Sequence, residues 1–177
     1  MSTLEVNTIT PQSGTTVTIG GSGQTVSLGS GATQSGFGGT NTPYFHAYRS
    51  DAWNSVPNST WAKVPLNAEV FDSANAFDTS NYRFTAQTSG KYFIYGSFQQ
   101  TVSIQGIYTA IYKNGSRVYY TQIDGTFGGI GRVSGLIELN GSSDYVELYV
   151  FLDGTAGATM AQDACFLGGY RIIEWAY

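Results

Sequence analysis

The sequence predicts an all-β protein, a double-sheet jelly roll preceded by a short β-rich stalk. Three observations carry that expectation. Apolar residues recur at alternate positions in many short runs, the period of a half-buried strand. Between those runs lie clusters of Gly, Asn, Asp and Ser, and the chain holds 23 glycines, as frequent turns require. No segment sustains a helical period.

Residues 1–42 form the first of two expected parts. They carry one charged residue, Glu5, and no aromatic before Phe37. Within them residues 16–23 return as residues 25–31: Val17 matches Val26, Ile19 matches Leu28, and Gly20 matches Gly29. Each unit reads as a short strand with two apolar residues on one face, ended by a Gly/Ser turn. Such a unit cannot bury its face alone. A stalk whose apolar faces meet across chains is therefore expected, in preference to a flexible linker. Residues 34–42 read as a hinge, and a head spanning 43–177 opens at Pro43.

In the head, residues 44–49 alternate and make a first strand, followed by a loop at 50–59. Residues 61–66 make a short strand that Pro65 assigns to an edge or a bulge. An apolar run ends at Val70 and Phe71, and residues 72–75 are a turn cluster. Residues 82–86 alternate, Ser89 and Gly90 mark a sharp turn, and residues 91–96 are a strand of aromatic and β-branched side chains. Residues 97–104 finish a strand, and Gln105 and Gly106 turn the chain. Residues 107–112 and 117–121 form the clearest hairpin, because Asn114 and Gly115 suit the positive φ angles of a type I′ turn. Residues 124–131 read as a glycine-rich loop. A second hairpin joins 132–139 to 145–151 through 140–144, a loop follows at 153–160, and residues 165–175 close the sheet. The tally of about eight to ten strands suits a jelly roll.

The spacing within residues 66–96 is specific. Asp72, Phe77, Phe84, Gly90 and Tyr92 stand in register with the signature of the C1q/TNF-like domains, which the stretch resembles. It departs at Leu66 and Ile94, where that family usually has Phe, and at Gly96, where it usually has an aromatic. The turn Lys113-Asn114-Gly115 and the Phe166-Leu167-Gly168-Gly169 run resemble further features of the family. The resemblance implies a jelly roll that assembles as a homotrimer, with aromatic and apolar side chains facing a threefold axis. It groups Leu66, Asp72, Phe77, Phe84, Gly90, Tyr92, Ile94 and Phe166 as signature and core positions, with Asp72 capping a turn. The opening residues 2–10, followed by the glycine-rich repeat, resemble the N-terminal ends of bacteriophage tail-fibre and appendage proteins.

Composition narrows the function. Charged residues make up 11% of the chain, against roughly 25% in ordinary soluble domains. So little charge leaves surface to be buried between subunits. With a net charge of −4 and no basic stripe, nucleic acid is excluded as a partner. No apolar stretch approaches the roughly 18 residues of a membrane-spanning helix, so no membrane insertion is expected. The opening residues have neither the basic nor the apolar region of a secretory signal. Synthesis in a host cytoplasm and location on a virion agree with that.

No catalytic constellation emerges, and a non-enzymatic protein is expected. The single histidine, His46, lies on a strand, and no Gly-x-Ser-x-Gly elbow exists. The pairs Asp72 with Asp78 and Glu138 with Glu147 are explained by the turn signature and by solvent-facing alternation. Cys165 lies in an apolar run and reads as an inert buried thiol. No cofactor is indicated. Some trimers of the resembled family hold calcium near the axis, and Asp124, Asp153 and Asp163 are loop carboxylates able to ligate it, but none forms a dedicated calcium loop. Candidate binding loops are those that combine aromatics with polar neighbours: Trp53 with Asn54, Tyr119 with Tyr120, and Phe127. The expected role is a trimeric virion protein, a tail fibre or other appendage. Its residues 1–42 would meet other virion proteins, and its head a host surface glycan or protein. The alternatives are a capsid decoration or head-fibre protein without a receptor role, and a C1q-like lectin.

Overall fold

The structure is a computed structural model that describes residues 6–27, 29–32, 41–154 and 164–172. The chain divides into two units, Met1–Phe37 and Gly38–Tyr177.

The described residues of the first unit take no strand in the single chain. Tight turns punctuate them: the Gln24 amide donates to the Gly21 carbonyl at 3.0 Å and the Ala32 amide to the Gly29 carbonyl at 3.0 Å. Val17, Ile19 and Val26 stay exposed. A face of two exposed apolar residues buries too little to offset the entropy of ordering it as a strand. Leu28 lies outside the described residues.

The second unit is a sandwich of two antiparallel sheets. Its strands are β1 (Tyr44–Tyr48), β2 (Ala62–Lys63), β3 (Ala68–Asp72), β4 (Phe77–Asp78), β5 (Arg83–Thr85) and β6 (Ser89–Gln99), then β7 (Ser103–Lys113), β8 (Ser116–Phe127), β9 (Ile130–Asn140), β10 (Tyr145–Asp153) and β11 (Phe166–Arg171). The first sheet runs β3-β1-β11-β6-β9; the second runs β4-β5-β10-β7-β8, with β2 also on β10. Apart from the β7–β8 hairpin, consecutive strands from β6 to β11 alternate between the sheets, which makes this a jelly roll rather than a stack of hairpins.

The core lies between the sheets. From the first come Phe45, Tyr92, Ile94, Phe98, Leu139 and Leu167; from the second come Phe84, Ile107, Ile111, Leu148 and Leu152, all buried. Phe45 and Phe84 stack across the gap with centroids 4.1 Å apart and planes 6° from parallel. Each such side chain contributes about 1.5–3 kcal/mol by leaving water. At one margin the edge strands β8 and β9 are tied by side chains: the Tyr119 hydroxyl donates to the Leu136 carbonyl at 2.8 Å, and Thr121 to the Arg132 carbonyl at 2.6 Å.

Several local expectations change in three dimensions. Ser89 and Gly90 begin β6 rather than turn the chain, and Gly106 lies inside β7. The glycine-rich segment expected as a loop at 124–131 is mostly the end of β8 and the start of β9. The short strand expected at 61–66 is pared to Ala62–Lys63. The link at 140–144 does not close a hairpin, since β9 pairs with β6 and β10 with β7. There the Asn140 side-chain carbonyl accepts the amides of Ser142, Ser143 and Asp144, each at 3.0 Å. The same turn chemistry serves a crossing between sheets as well as a hairpin. The hairpin at Asn114-Gly115 does form, with φ of 51° and 75° at the two residues.

Candidate functional site

The signature positions build the scaffold. The Asp72 carboxylate accepts the amides of Ala74 at 3.1 Å and Phe77 at 2.7 Å, and also that of Ala76, closing the turn between β3 and β4. Leu66, Phe77, Phe84, Tyr92 and Ile94 are buried in the core. The buried Tyr92 hydroxyl is satisfied by the Thr88 carbonyl at 2.6 Å. Gly96 omits the aromatic of the resembled signature, and the space is filled from the other sheet: a Cβ there would lie 2.7 Å from Leu148 Cδ1. Phe166 departs from its core assignment. Leu167 takes the inward position of β11, so alternation turns Phe166 to the outer face.

That outer face is the candidate functional site. In register across the first sheet lie Phe93 with Tyr170 and Tyr170 with Tyr44, then Tyr95 with Gly168 and Gly168 with His46, and next His46 with Phe71. Residues opposite each other share a face, so these rings form one patch. His46 lies 5.0 Å from Phe166, 5.9 Å from Phe71 and 6.0 Å from Tyr95, centroid to centroid. Tyr95 and Tyr170 both pack on Phe93, at 6.2 and 5.7 Å. Gly168 permits the packing, since a Cβ there would stand 2.5 Å from the Tyr95 ring. A groove of about 380 Å³ runs beside the patch, lined by Phe93, Tyr95, Phe166, Thr121, Arg132 and Ser134 among others.

The patch is uncharged. Burial pushes His46 below its ordinary value and lifts the Tyr95 phenol above its own, so both hold their neutral forms near neutral pH. His46 Nδ1 and the Tyr95 hydroxyl are 3.2 Å apart, within hydrogen-bond reach. Charges lie at its margin: Lys91 opposes Glu138, and Arg132 ends the row that runs through Ser97 to Phe166. An apolar centre with a polar rim is the anatomy of a protein interface.

The predicted binding loops are dispersed. Trp53 packs against the core while Asn54 is exposed. Tyr119 and Tyr120 lie within β8, on opposite faces because adjacent strand residues alternate. Tyr119 joins the β8–β9 margin, and Tyr120 stays on the outer face of the second sheet. Phe127 ends β8. Sequence reasoning did not single out Tyr44, Phe71, Phe93, Tyr95 or Tyr170. The signal for Phe93 and Tyr95 was present in residues 92–95, where apolar side chains occupy both parities of one strand. Such a strand is to be covered on both faces.

Chemistry has little footing among the described residues. No group of three His, Cys, Asp or Glu is placed to hold a metal. Asp124 lies in β8 and accepts from Gln122, and Asp153 ends β10, so neither is a loop ligand; Asp163 is outside the described residues. Cys165 is buried and its thiol is pushed up to about 12 by desolvation, which removes its nucleophilic form. No described helix is long and apolar enough to cross a membrane.

No family model matches the chain, and no curated protein matches it. Solved structures do. The globular domain of zebrafish complement 1qA protein shares 14% identity over 74% of this chain and 98% of that one, with a TM-score of 0.58. Murine APRIL at pH 8.0 shares 11% identity over 73% of this chain and 98% of that one, also at 0.58. At such identities the likeness is one of fold: the chain carries a C1q/TNF-like jelly roll.

Proposed function

We propose that this chain is a non-enzymatic structural protein that works as a homotrimer, a tail fibre or other appendage of a bacteriophage virion. The observation that carries the assembly is the uncharged aromatic patch of Tyr44, His46, Phe71, Phe93, Tyr95, Phe166 and Tyr170. A contiguous apolar patch with charge only at its margin is costly to leave in water. A closed ring of copies covers it without opening a new edge. Residues 1–42 attach to the particle, and their repeated apolar faces, of which Val17, Ile19 and Val26 are exposed in one chain, meet those of neighbouring copies. The virion assignment draws its support from the opening residues 2–10 and the glycine-rich repeat behind them. The head, residues 43–177, presents its remaining surface to a host glycan or protein.

Solution mass by light scattering tests the assembly. A value three times 19.0 kDa is expected for the full chain. A folded, soluble monomer would remove the trimeric reading. Immunogold labelling of purified particles tests the location, with label on a tail or fibre expected. Label confined to the capsid surface would indicate a decoration protein instead.

A further inference from the structure

We infer that the outer face of the second sheet carries a binding site for a neutral pyranose, centred on Trp61, Tyr120 and Asp153. This rests on the reading that the head meets a host glycan, and it names the residues and the class of sugar.

Register assembles the site. Tyr108 in β7 opposes Gln122 in β8 and Phe151 in β10; Ala110 opposes Tyr120 and Tyr149; Tyr112 opposes Arg117 and Glu147. All of these side chains share the face opposite the core. The β-bulge between Ile111 and Tyr112 brings Arg117 onto the same face as Tyr120. Trp61, just before β2, stands over them, 5.6 Å from Phe151, 6.0 Å from Tyr112 and 6.3 Å from Tyr108. The result is a groove of about 320 Å³ lined by Trp61, Tyr108, Arg117, Tyr120, Phe151 and Asp153. That volume lies at the small end of the roughly 300–1,000 Å³ of ligand sites, the size for one ring rather than a chain segment.

Its polar groups are few and convergent. The Arg117 guanidinium lies over two rings, 5.0 Å from the centroid of Trp61 and 4.6 Å from that of Tyr120. Among the described residues no carboxylate pairs with it. The cation is held by ring faces and keeps N–H groups for a ligand. Gly106 lies between Asp124 and Asp153 in the ladder and has no side chain to screen either carboxylate. Tyr120 is 54% exposed, so much of its ring is open to contact.

A pyranose fits this set of groups. Its C–H faces are weakly positive and pack on aromatic faces, while vicinal hydroxyls donate to a carboxylate and accept from a guanidinium. The charge balance chooses among sugars. Asp153 in the groove and Asp124 beside it, across Gly106, outnumber Arg117, so a sialic or uronic acid meets net repulsion, whereas a neutral hexose uses both signs. The first-sheet patch has Arg132 at its margin but, among the described residues, no carboxylate in its groove and no cation over its rings, which is why that face suits a second copy and this one a glycan.

The test uses the full chain on an array of neutral and acidic glycans, followed by saturation-transfer NMR with methyl glucoside, methyl galactoside and methyl mannoside. Neutral hexosides are expected to bind. Tyr120→Ala and Asp153→Asn should each weaken binding about tenfold, with circular dichroism and solution mass unchanged. Neutral binding that survives both substitutions overturns the site while leaving the head a glycan binder. Binding confined to acidic glycans, lost in Arg117→Gln, overturns the sugar class. A blank array from a correctly trimeric chain overturns the inference and leaves the trimeric assembly standing. A monomeric chain that binds neutral hexosides through Tyr120 supports the inference and sinks the trimer.

Discussion

The two outer faces of the sandwich are both rich in aromatic rings, yet they are built differently. On the first sheet the rings of Phe93, Tyr95, Phe166, Tyr170 and His46 touch one another, and charge stands only at their margin, where Arg132 ends the row of Phe166 and Ser97. On the second sheet charge is interleaved with the rings: Arg117 over Trp61 and Tyr120, Lys63 against Glu147, and two aspartates flanking Gly106. An uncharged aromatic surface gains most from exclusion of water by a like surface. A ring surface studded with donors and acceptors can remain wet and choose a polar ligand. Aromatic content alone therefore does not say what a face does; the company of the rings does.

Both faces hang on one core, so the largest effect should come from beneath them. Phe84→Ala removes a ring stacked on Phe45 and packed 5.9 Å from Tyr92. It should cost about 3–5 kcal/mol in urea unfolding and weaken both faces together. A variant that kept full stability would mean that the two sheets are not held by this stack.

Tyr95→Asp separates the faces. A carboxylate placed beside His46, Phe93 and Phe166 should abolish assembly, seen as a fall in solution mass from three chains to one. The circular dichroism spectrum should persist, and so should hexoside binding at the opposite face. If the mass holds at three chains, the interface lies elsewhere.

Lys63→Ala probes the second face. Lys63 Nζ lies 2.9 Å from Glu147 Oε1, and Glu147 is 4% exposed, so the substitution strands a buried carboxylate. A loss of about 1–3 kcal/mol in chemical unfolding is expected, partly restored by adding Glu147→Gln. Equal losses in the single and double variants would show that the pair is not coupled.

The smallest effect belongs to pH on the first face. Burial holds His46 below its ordinary value, so the unfolded chain takes up the proton first as the solution is acidified. The stability contributed by neutral His46 is full above about pH 6.5 and declines as pH falls below it, levelling off below the folded-state value. Melting at about pH 5 and about pH 7.5 should show a larger acid loss in the wild type than in His46→Gln. An equal loss would place the acid sensitivity on other groups.

Much of the jelly roll was readable along the chain. Alternation located most strands, Asn114 and Gly115 marked the hairpin, and the spacing from Leu66 to Ile94 identified residues that prove buried. These are local properties, set by side-chain period and by the φ that a turn residue tolerates. Which strand lies beside which was not local. The link at 140–144 has the chemistry of a hairpin, but Leu139 and Val146 are both buried, one from each sheet, and burial on two facing sheets decided the crossing. The candidate sites depended on the same decision. Phe166 looked like core and Tyr119 like a partner of Tyr120 until pairing assigned each a face. Trp61 and Asp153 are far apart in sequence and line one groove only because β2 and β7 both pair with β10. The sequence by itself determined most of the strands, the Asn114-Gly115 turn and the scarcity of charge. The tertiary structure decided which rings share a surface, because a face is made by residues from several strands and no one strand specifies its neighbours.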